Sequence, residues 1–209
     1  MALVKHNNNS ISAVTSMASL STGSMTLIKE QTASSSASIS FVDGSSDVVL
    51  DSTYPIYKFE FINIHPSAEG SAVYFEFNGS TDSGSNYNVT KTSSYIEVYH
   101  DEADTTTSLQ YSTAHDLAQS TSFQRLVTGL GADNDQANSG SLIIFNPSSS
   151  TFVKHFISDM NRTYFGDYTG QDLVAGYLNT TNVIDAIKFQ MNTGNIDSGT
   201  IKLYGIKDS

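Results

Sequence analysis

"IYKFEFINI", residues 56–64, alternates between two kinds of side chain. A period of two is the repeat of a β-strand, in which successive side chains point to opposite faces of the sheet. One face would carry Tyr57, Phe59 and Phe61, and the other would carry Ile56, Lys58, Glu60 and Ile62. The stretch therefore predicts a strand with an aromatic inner face.

The next segment predicts a partner for this strand. Residues 65–71, "HPSAEGS", contain the Pro and Gly of a turn, and residues 72–78, "AVYFEFN", alternate again. The predicted inner residues are Val73, Phe75 and Phe77, and the outer residues are Tyr74 and Glu76. We therefore expect an antiparallel hairpin here.

Short alternating runs, separated by Gly, Pro, Asn and Asp, continue along the chain. A second hairpin is predicted from "MTLIKEQ", residues 25–31, and "SASISFV", residues 36–42. In "SYIEVYH", residues 94–100, Ile96 and Val98 oppose Tyr95, Glu97 and Tyr99. About ten strands are expected in total, at the spacing of sandwiches and barrels. In the last run Ile201 and Leu203 would face the core, and Lys202 and Tyr204 would face the other way.

Residues 112–131 allow two interpretations. Phe123, Leu126, Val127 and Leu130 have the spacing of one helix face. The same residues also fit a strand over residues 123–129, preceded by a loop. The surrounding Ser and Thr residues and the β pattern elsewhere favour the strand.

The charge balance argues against two classes of partner. The chain has 10 basic and 21 acidic residues and a net charge of −11, which repels phosphate backbones and anionic lipid headgroups. We therefore expect neither nucleic acid binding nor membrane insertion. Cysteine is absent, so a disulfide framework and a thiolate zinc site are excluded.

The beginning of the chain predicts an extended arm. Residues 1–23 are small and polar and contain no strong periodic segment, which assigns them to an arm and residues 24–209 to a single β-sandwich domain. The first residues are too weakly apolar for a signal peptide, and no run of 18 apolar residues occurs. We expect a protein that is made in a cytosol and kept there, or released by lysis.

Three stretches are candidates for a functional site. "HDEAD", residues 100–104, is either a hydrolase corner or a solvated loop, and "DNDQANSG", residues 133–140, is either a calcium loop or a polar turn. The second lacks the full spacing of a calcium loop, and in both cases the loop or turn is favoured. "NRTYFGDYTG", residues 161–170, suggests a turn tip with Tyr164, Phe165 and Tyr168, which would be contact residues if exposed and core residues if buried.

No catalytic signature, cofactor motif or metal motif accompanies these stretches. The five histidines, at positions 6, 65, 100, 115 and 155, have no ligand spacing, and the chain has no phosphate-binding loop and no nucleophile elbow. The sequence therefore predicts no catalytic, cofactor-binding or metal-binding residues, and a protein that is not an enzyme.

Five segments together resemble small virion structural proteins of tailed bacteriophages, especially those of marine bacteria and cyanobacteria. They are "QTASSSASISFVDG" (31–44), "YKFEFINIHP" (57–66), "GSNYNVTKTSS" (84–94), "FNPSSSTFVKHFIS" (145–158) and "IDAIKFQMNTGNIDSGTIKLYGI" (184–206). The resemblance runs from about residue 25 to the end. It implies an all-β fold, an antiparallel jelly-roll-like β-sandwich with an N-terminal extended arm, displayed on a particle.

The resemblance also implies location and partners. We expect a virion protein, assembled in the host cytoplasm, that contacts major capsid or tail proteins and forms a homo-oligomer, with trimers common in such proteins. A capsid decoration or cement role and a tail-fibre or receptor-binding role both remain open. The alternative from another class is a receptor-binding or glycan-binding lectin-like protein that takes a host surface glycan, and a glycoside hydrolase is a weaker third.

Overall fold

A computed structural model describes residues 25–207 and contains only β-strands as regular elements. No helix in this range is long and apolar enough to cross a membrane. The strands are β1 (Met25–Thr32), β2 (Ile39–Val42), β3 (Ile56–Pro66), β4 (Gly70–Ser80), β5 (Lys91–Asp101), β6 (Thr107–Tyr111), β7 (Gln124–Leu130), β8 (Asn138–Phe145), β9 (Lys154–Tyr164), β10 (Tyr168–Leu178), β11 (Ala186–Met191) and β12 (Ile196–Ile206).

The strands pair antiparallel throughout and form two layers. The larger layer has the order β1-β12-β3-β8-β9-β10-β5-β6, and the smaller layer has the order β7-β4-β11-β2. The layers are joined where Leu130 of β7 pairs with Tyr164 of β9. The protein is therefore an all-β, antiparallel, sandwich-like fold in which the sheet nearly closes on itself, as the sequence predicted.

Aromatic side chains fill the space between the layers. Phe189 of β11 lies 5.0 Å from the Phe59 ring and 5.1 Å from the Phe61 ring, both on β3 in the larger layer. Its ring also stacks on Phe75 of β4, at 5.8 Å. These side chains are at most 2% exposed, so the aromatic faces that the period of two predicted are the inner faces of the sandwich.

Both predicted hairpins are wrong in their pairing. The β3 strand pairs with β12 and β8, whereas β4 pairs with β11 and β7. Likewise β1 pairs with β12, and β2 pairs with β11. In each case the two strands lie in opposite layers. β3 and β4 each bury an aromatic face, and these faces meet across the core instead of lying side by side, whereas no residue of β1 is fully buried. The rings of Phe61 and Phe75, 5.2 Å apart, mark this contact between layers.

Other predictions are confirmed. Residues 124–130 form a strand, and Ile201 and Leu203 of β12 are fully buried while Lys202 and Tyr204 are partly exposed. The described range contains twelve strands, more than the expected ten, and one of the additional strands is β6, whose sequence lacks a clear hydrophobic pattern. The predicted arm, residues 1–23, lies outside the described residues.

A fully buried lysine begins strand β5. Lys91 is 0% exposed, and its Nζ donates to Asn78 Oδ1 at 2.7 Å and to the Val89 carbonyl at 2.8 Å. It forms no salt bridge with a carboxylate of the described residues. Burial therefore lowers the pKa of Lys91 to about 7, and Glu76 opposes this only in part.

The protonation of Lys91 makes stability depend on pH. Between pH 7 and pH 9 the unfolded chain holds a proton that the folded chain lacks, so the free energy of unfolding rises with pH by up to about 1.4 kcal/mol per unit. We expect this rise in urea titrations of the wild type. The rise in the free energy of unfolding with pH should be smaller in Lys91→Met. It should be unchanged in Lys207→Met, because the Lys207 side chain is exposed. An equal rise in all three proteins would contradict this assignment.

Candidate functional site

A cavity of about 400 Å³ lies where the β5, β6, β9 and β10 end of the larger layer approaches β7. Its polar lining includes Glu97, Gln110, His115, Thr128 and Arg162. Its aromatic lining consists of Tyr99, Tyr164 and Tyr168. Both layers therefore contribute to the cavity, because Thr128 belongs to β7 and most of the other residues to the larger layer.

Arg162 connects three strands beside this cavity. Its Nη1 donates to Asp172 Oδ2 of β10 at 2.6 Å, and its Nη2 donates to Glu97 Oε1 of β5 at 3.3 Å. Glu97 and Asp172 are direct cross-strand neighbours, an arrangement in which two like charges repel. The guanidinium lies between these carboxylates and offsets that repulsion.

Local packing leaves room for the Arg162 side chain. Gly170 is the cross-strand partner of Arg162 in the β9–β10 hairpin, and a Cβ there would lie 2.5 Å from Arg162 Nε. Gly129, with a φ of +68°, is similarly placed beside Tyr164, because a Cβ at that position would overlap the tyrosine ring. Both glycines permit the arginine and tyrosine to reach the cavity.

Each oxygen of the Glu97 carboxylate has a neighbouring donor. Gln110 Nε2 of β6 donates to Glu97 Oε2 at 2.8 Å, and Arg162 donates to the other oxygen. Asp172 is 0% exposed and does not line the cavity. Burial raises the pKa of the Asp172 carboxyl, and the guanidinium of Arg162 opposes that rise. Asp172 is thus out of reach of a bound molecule, and Glu97 faces the cavity as a carboxylate that already accepts from two side chains.

His115 is the neutral member of this lining. Burial lowers the pKa of its imidazole, although Glu97, whose Oε1 lies 3.8 Å from His115 Nδ1, acts in the opposite direction. Its ring packs edge-on against Tyr95 at 5.1 Å. The loop that carries it is fixed to β5 and β7, because Gln124 Nε2 donates to the His115 carbonyl at 3.2 Å.

Three buried polar atoms of cavity-lining residues have no hydrogen-bond partner. They are Thr128 Oγ1, His115 Nδ1 and Arg162 Nε. Thr128 and Arg162 are each only 3% exposed. A buried polar atom without a partner costs free energy, so these atoms mark a place where another molecule can supply hydrogen bonds.

The tyrosines predicted at the turn after β9 form the aromatic side of the cavity. Tyr168 lies edge-to-face with Tyr164 at 5.4 Å and with Tyr99 at 5.9 Å. Both predicted tyrosines are half-buried, whereas Phe165, at the turn itself, is 39% exposed and does not line the cavity. Burial raises the pKa of Tyr164, so its hydroxyl stays protonated at neutral pH.

The acidic stretch at residues 100–104 is a turn, as the favoured interpretation predicted. The Asp101 carboxylate accepts hydrogen bonds from the backbone N–H groups of Thr105 and Thr106, each at 2.8 Å. The Thr105 hydroxyl also donates to this carboxylate, and this bond, followed by the backbone bonds, lowers the pKa of Asp101. Glu102 and Asp104 are exposed, and His100 contacts only Asp104, at 3.2 Å. The turn contributes to the cavity by positioning Thr106 at its rim.

The remaining candidates lie away from the cavity. In residues 133–140, Gln136 Oε1 accepts from the Asp133 N–H at 3.3 Å, and Asn138 Nδ2 donates to the Ile64 carbonyl at 2.9 Å, so these side chains stabilise the chain itself. His65 and His155 are separate from each other and from His115, and His6 lies outside the described residues. Within residues 25–207, no three His, Asp or Glu side chains group as metal ligands would.

Sequence reasoning did not find Glu97, Arg162 and Asp172. Hydropathy predicts that Ile96 is buried and Glu97 is exposed. In the structure Ile96 is 37% exposed and Glu97 is 6% exposed. A usable signal was present in the predicted turn at residues 165–167, because a hairpin around that turn puts Arg162 diagonally across from Asp172 on the same face.

Comparisons with protein-family models, curated proteins and solved structures return no match to this chain.

Loss of the Arg162 guanidinium should destabilise the fold in a pH-dependent way. In Arg162→Met two adjacent carboxylates lose their buried partner, so we expect a loss of about 3 kcal/mol or more in the free energy of unfolding at pH 7. Burial already raises the pKa of Asp172 to about 7, and loss of the guanidinium raises it further, so this loss in the free energy of unfolding should shrink as the pH falls from 9 towards 7.

Arg125→Met is the matched control. The Arg125 guanidinium lies 3.7 Å from the centroid of the partly exposed Tyr74 ring. Removal of this contact should lower the free energy of unfolding by about 1 kcal/mol or less. Equal effects of the two substitutions in urea denaturation, or an Arg162→Met effect that is independent of pH, would contradict the role given to Arg162.

Proposed function

We propose that the chain is a structural module of a bacteriophage particle, with residues 24–209 displayed as a β-sandwich and residues 1–23 attaching it to other virion proteins. The resemblance to virion proteins supports this proposal because it falls on the framework of the fold. The similar segments include β2, most of β3, and all of β11 and β12. These strands belong to both layers, so the resemblance concerns the whole sandwich.

The sheet edges favour a protein that assembles with others. Within the described residues, β1, β2 and β6 each have a single hydrogen-bonded neighbour. An open strand edge can accept a strand from another chain. Such edges suit a module that contacts capsid or tail proteins, or further copies of itself in a homo-oligomer.

The cavity favours binding over catalysis. A glycoside hydrolase needs two carboxylates that face each other across the substrate. Here Asp172 is sealed beneath the cavity, and Arg162 and Gln110 hold the Glu97 carboxylate. We therefore propose a non-enzymatic role without a cofactor, which within a particle corresponds to recognition at a tail or to a structural site on the head.

A second candidate is a lectin-like protein that works free of any particle. The half-buried tyrosines beside a polar cavity favour it, because tyrosine combines an apolar face with a hydroxyl. Location separates the two candidates. The virion proposal requires the chain in purified particles, whereas a free lectin would stay in the supernatant.

The test is to purify particles from a phage that encodes the chain, and then to identify and image the protein on them. We expect a fixed copy number per particle at one location on head or tail. Deletion of residues 1–23 should leave a cooperatively melting domain that no longer joins the particle, whereas deletion of residues 207–209 should leave incorporation intact. Absence from purified particles would overturn the virion role, and incorporation without residues 1–23 would overturn the role of the arm.

A further inference from the structure

We propose that the cavity binds one neutral pyranose residue of a glycan. This inference depends on the proposal that the cavity serves binding, and it does not depend on where the protein is located. Its volume, about 400 Å³, falls within the range of small-molecule sites. That size suits a single sugar ring, with any further residues of the glycan extending out of the opening.

The unpartnered atoms call for a ligand rich in hydroxyl groups. Arg162 Nε can only donate a hydrogen bond, whereas the Thr128 hydroxyl and the neutral His115 imidazole can donate or accept. A hydroxyl group both donates and accepts, so a ligand rich in hydroxyls can supply a partner of either kind. An amide or a carboxylate offers a less adaptable set of partners.

The charges of the site disfavour ionic ligands. Arg162 is paired with Glu97 and with Asp172, whose pKa burial raises to about 7, and His115 is neutral at pH 7 because burial lowers its pKa. An anionic ligand would meet no spare positive charge. A cationic ligand would compete with Arg162 and Gln110 for the Glu97 carboxylate. A neutral ligand requires neither a spare positive charge nor a free carboxylate.

The aromatic side of the cavity complements the apolar face of a sugar ring. Tyr99, Tyr164 and Tyr168 form one continuous group, with ring centroids 5.4 Å and 5.9 Å apart between neighbours. A pyranose carries C–H groups on its faces and hydroxyls around its edge. Its faces can therefore contact the tyrosines while its edge reaches Thr128, His115 and Arg162.

The site is held in shape before any ligand arrives. Arg162 is fixed by two carboxylates, and the turn that carries Thr106 is fixed by Asp101. The loop that carries His115 is tied to Gln124. Binding a sugar would therefore order few additional side chains, which reduces the entropic cost of recognition.

Titration calorimetry on the full chain tests the ligand class directly. The neutral probes are the methyl glycosides of glucose, galactose and mannose together with N-acetylglucosamine, and the charged probes are glucuronic acid, N-acetylneuraminic acid and glucosamine. We expect at least one neutral probe to bind saturably. Every charged probe should bind at least about tenfold more weakly than that neutral probe, or not at all. Saturable binding of no neutral probe, or tightest binding of a charged probe, would overturn the inference.

Two variants locate the binding in the cavity. Thr128→Val removes a hydroxyl at constant shape and should weaken binding of the neutral probe about three- to tenfold. Tyr168→Ala removes an aromatic contact and should weaken it about thirtyfold or more. The matched controls, Thr26→Val on β1 and Tyr177→Ala at the far end of β10, should bind as the wild type does.

Folding and ligand effects can be separated. Thr128→Val deletes an unpartnered buried hydroxyl, so its melting temperature without sugar should equal or exceed that of the wild type. Unchanged binding in Thr128→Val and Tyr168→Ala would show that the sugar binds outside the cavity and would overturn the inference. Release of free sugar from a bound methyl glycoside would contradict the non-enzymatic role but not the ligand class.

Discussion

The sharing of Arg162 between two buried carboxylates is the interaction on which the polar end of this sandwich depends. Glu97 and Asp172 face each other on paired strands, and neither is exposed enough to be relieved by water. The arginine comes from the next strand, β9, and binds both. Removing one member of such a group leaves uncompensated charge in the interior, so the three strands are held together at this point.

The rest of the sandwich is stabilised by apolar contact. Phe189 and the rings of β3 and β4 fill the centre between the layers, where burial of large aromatic surfaces supplies most of the favourable free energy. At the cavity the same two layers are joined by hydrogen bonds and ion pairs. The molecule thus has an apolar core that stabilises the fold and a polar end that remains able to bind.

Sequence reasoning predicted the strands better than their neighbours. The alternation at residues 56–64 and 72–78 correctly identified which side chains are buried, because a period of two depends only on the local chain. It could not show that β3 and β4 lie in opposite layers. That outcome depends on Phe61 and Phe75 meeting across the core, and on the other strands that flank each of them.

The candidate site shows the same limit. Tyr164 and Tyr168 could be predicted from one stretch of sequence, because both belong to a single aromatic turn. The interaction of Glu97 with Arg162 could not be predicted, because the two residues lie 65 positions apart in the chain. In addition, β5 buries Glu97 and exposes Ile96, which is the opposite of what hydropathy predicts. Ile96 is exposed because it lies on the opposite face of β5 from Tyr95 and Glu97, which point inward.

A high-resolution crystal structure of the chain with a bound methyl glycoside would show directly whether the cavity holds a sugar. We expect one sugar ring in the cavity, in contact with the tyrosines, with hydroxyls at hydrogen-bonding distance from Thr128 Oγ1 and Arg162 Nε. The contacts of Arg162 with Glu97 and Asp172 would be unchanged. A sugar bound elsewhere, or a cavity that holds only ordered water at saturating sugar, would contradict the account.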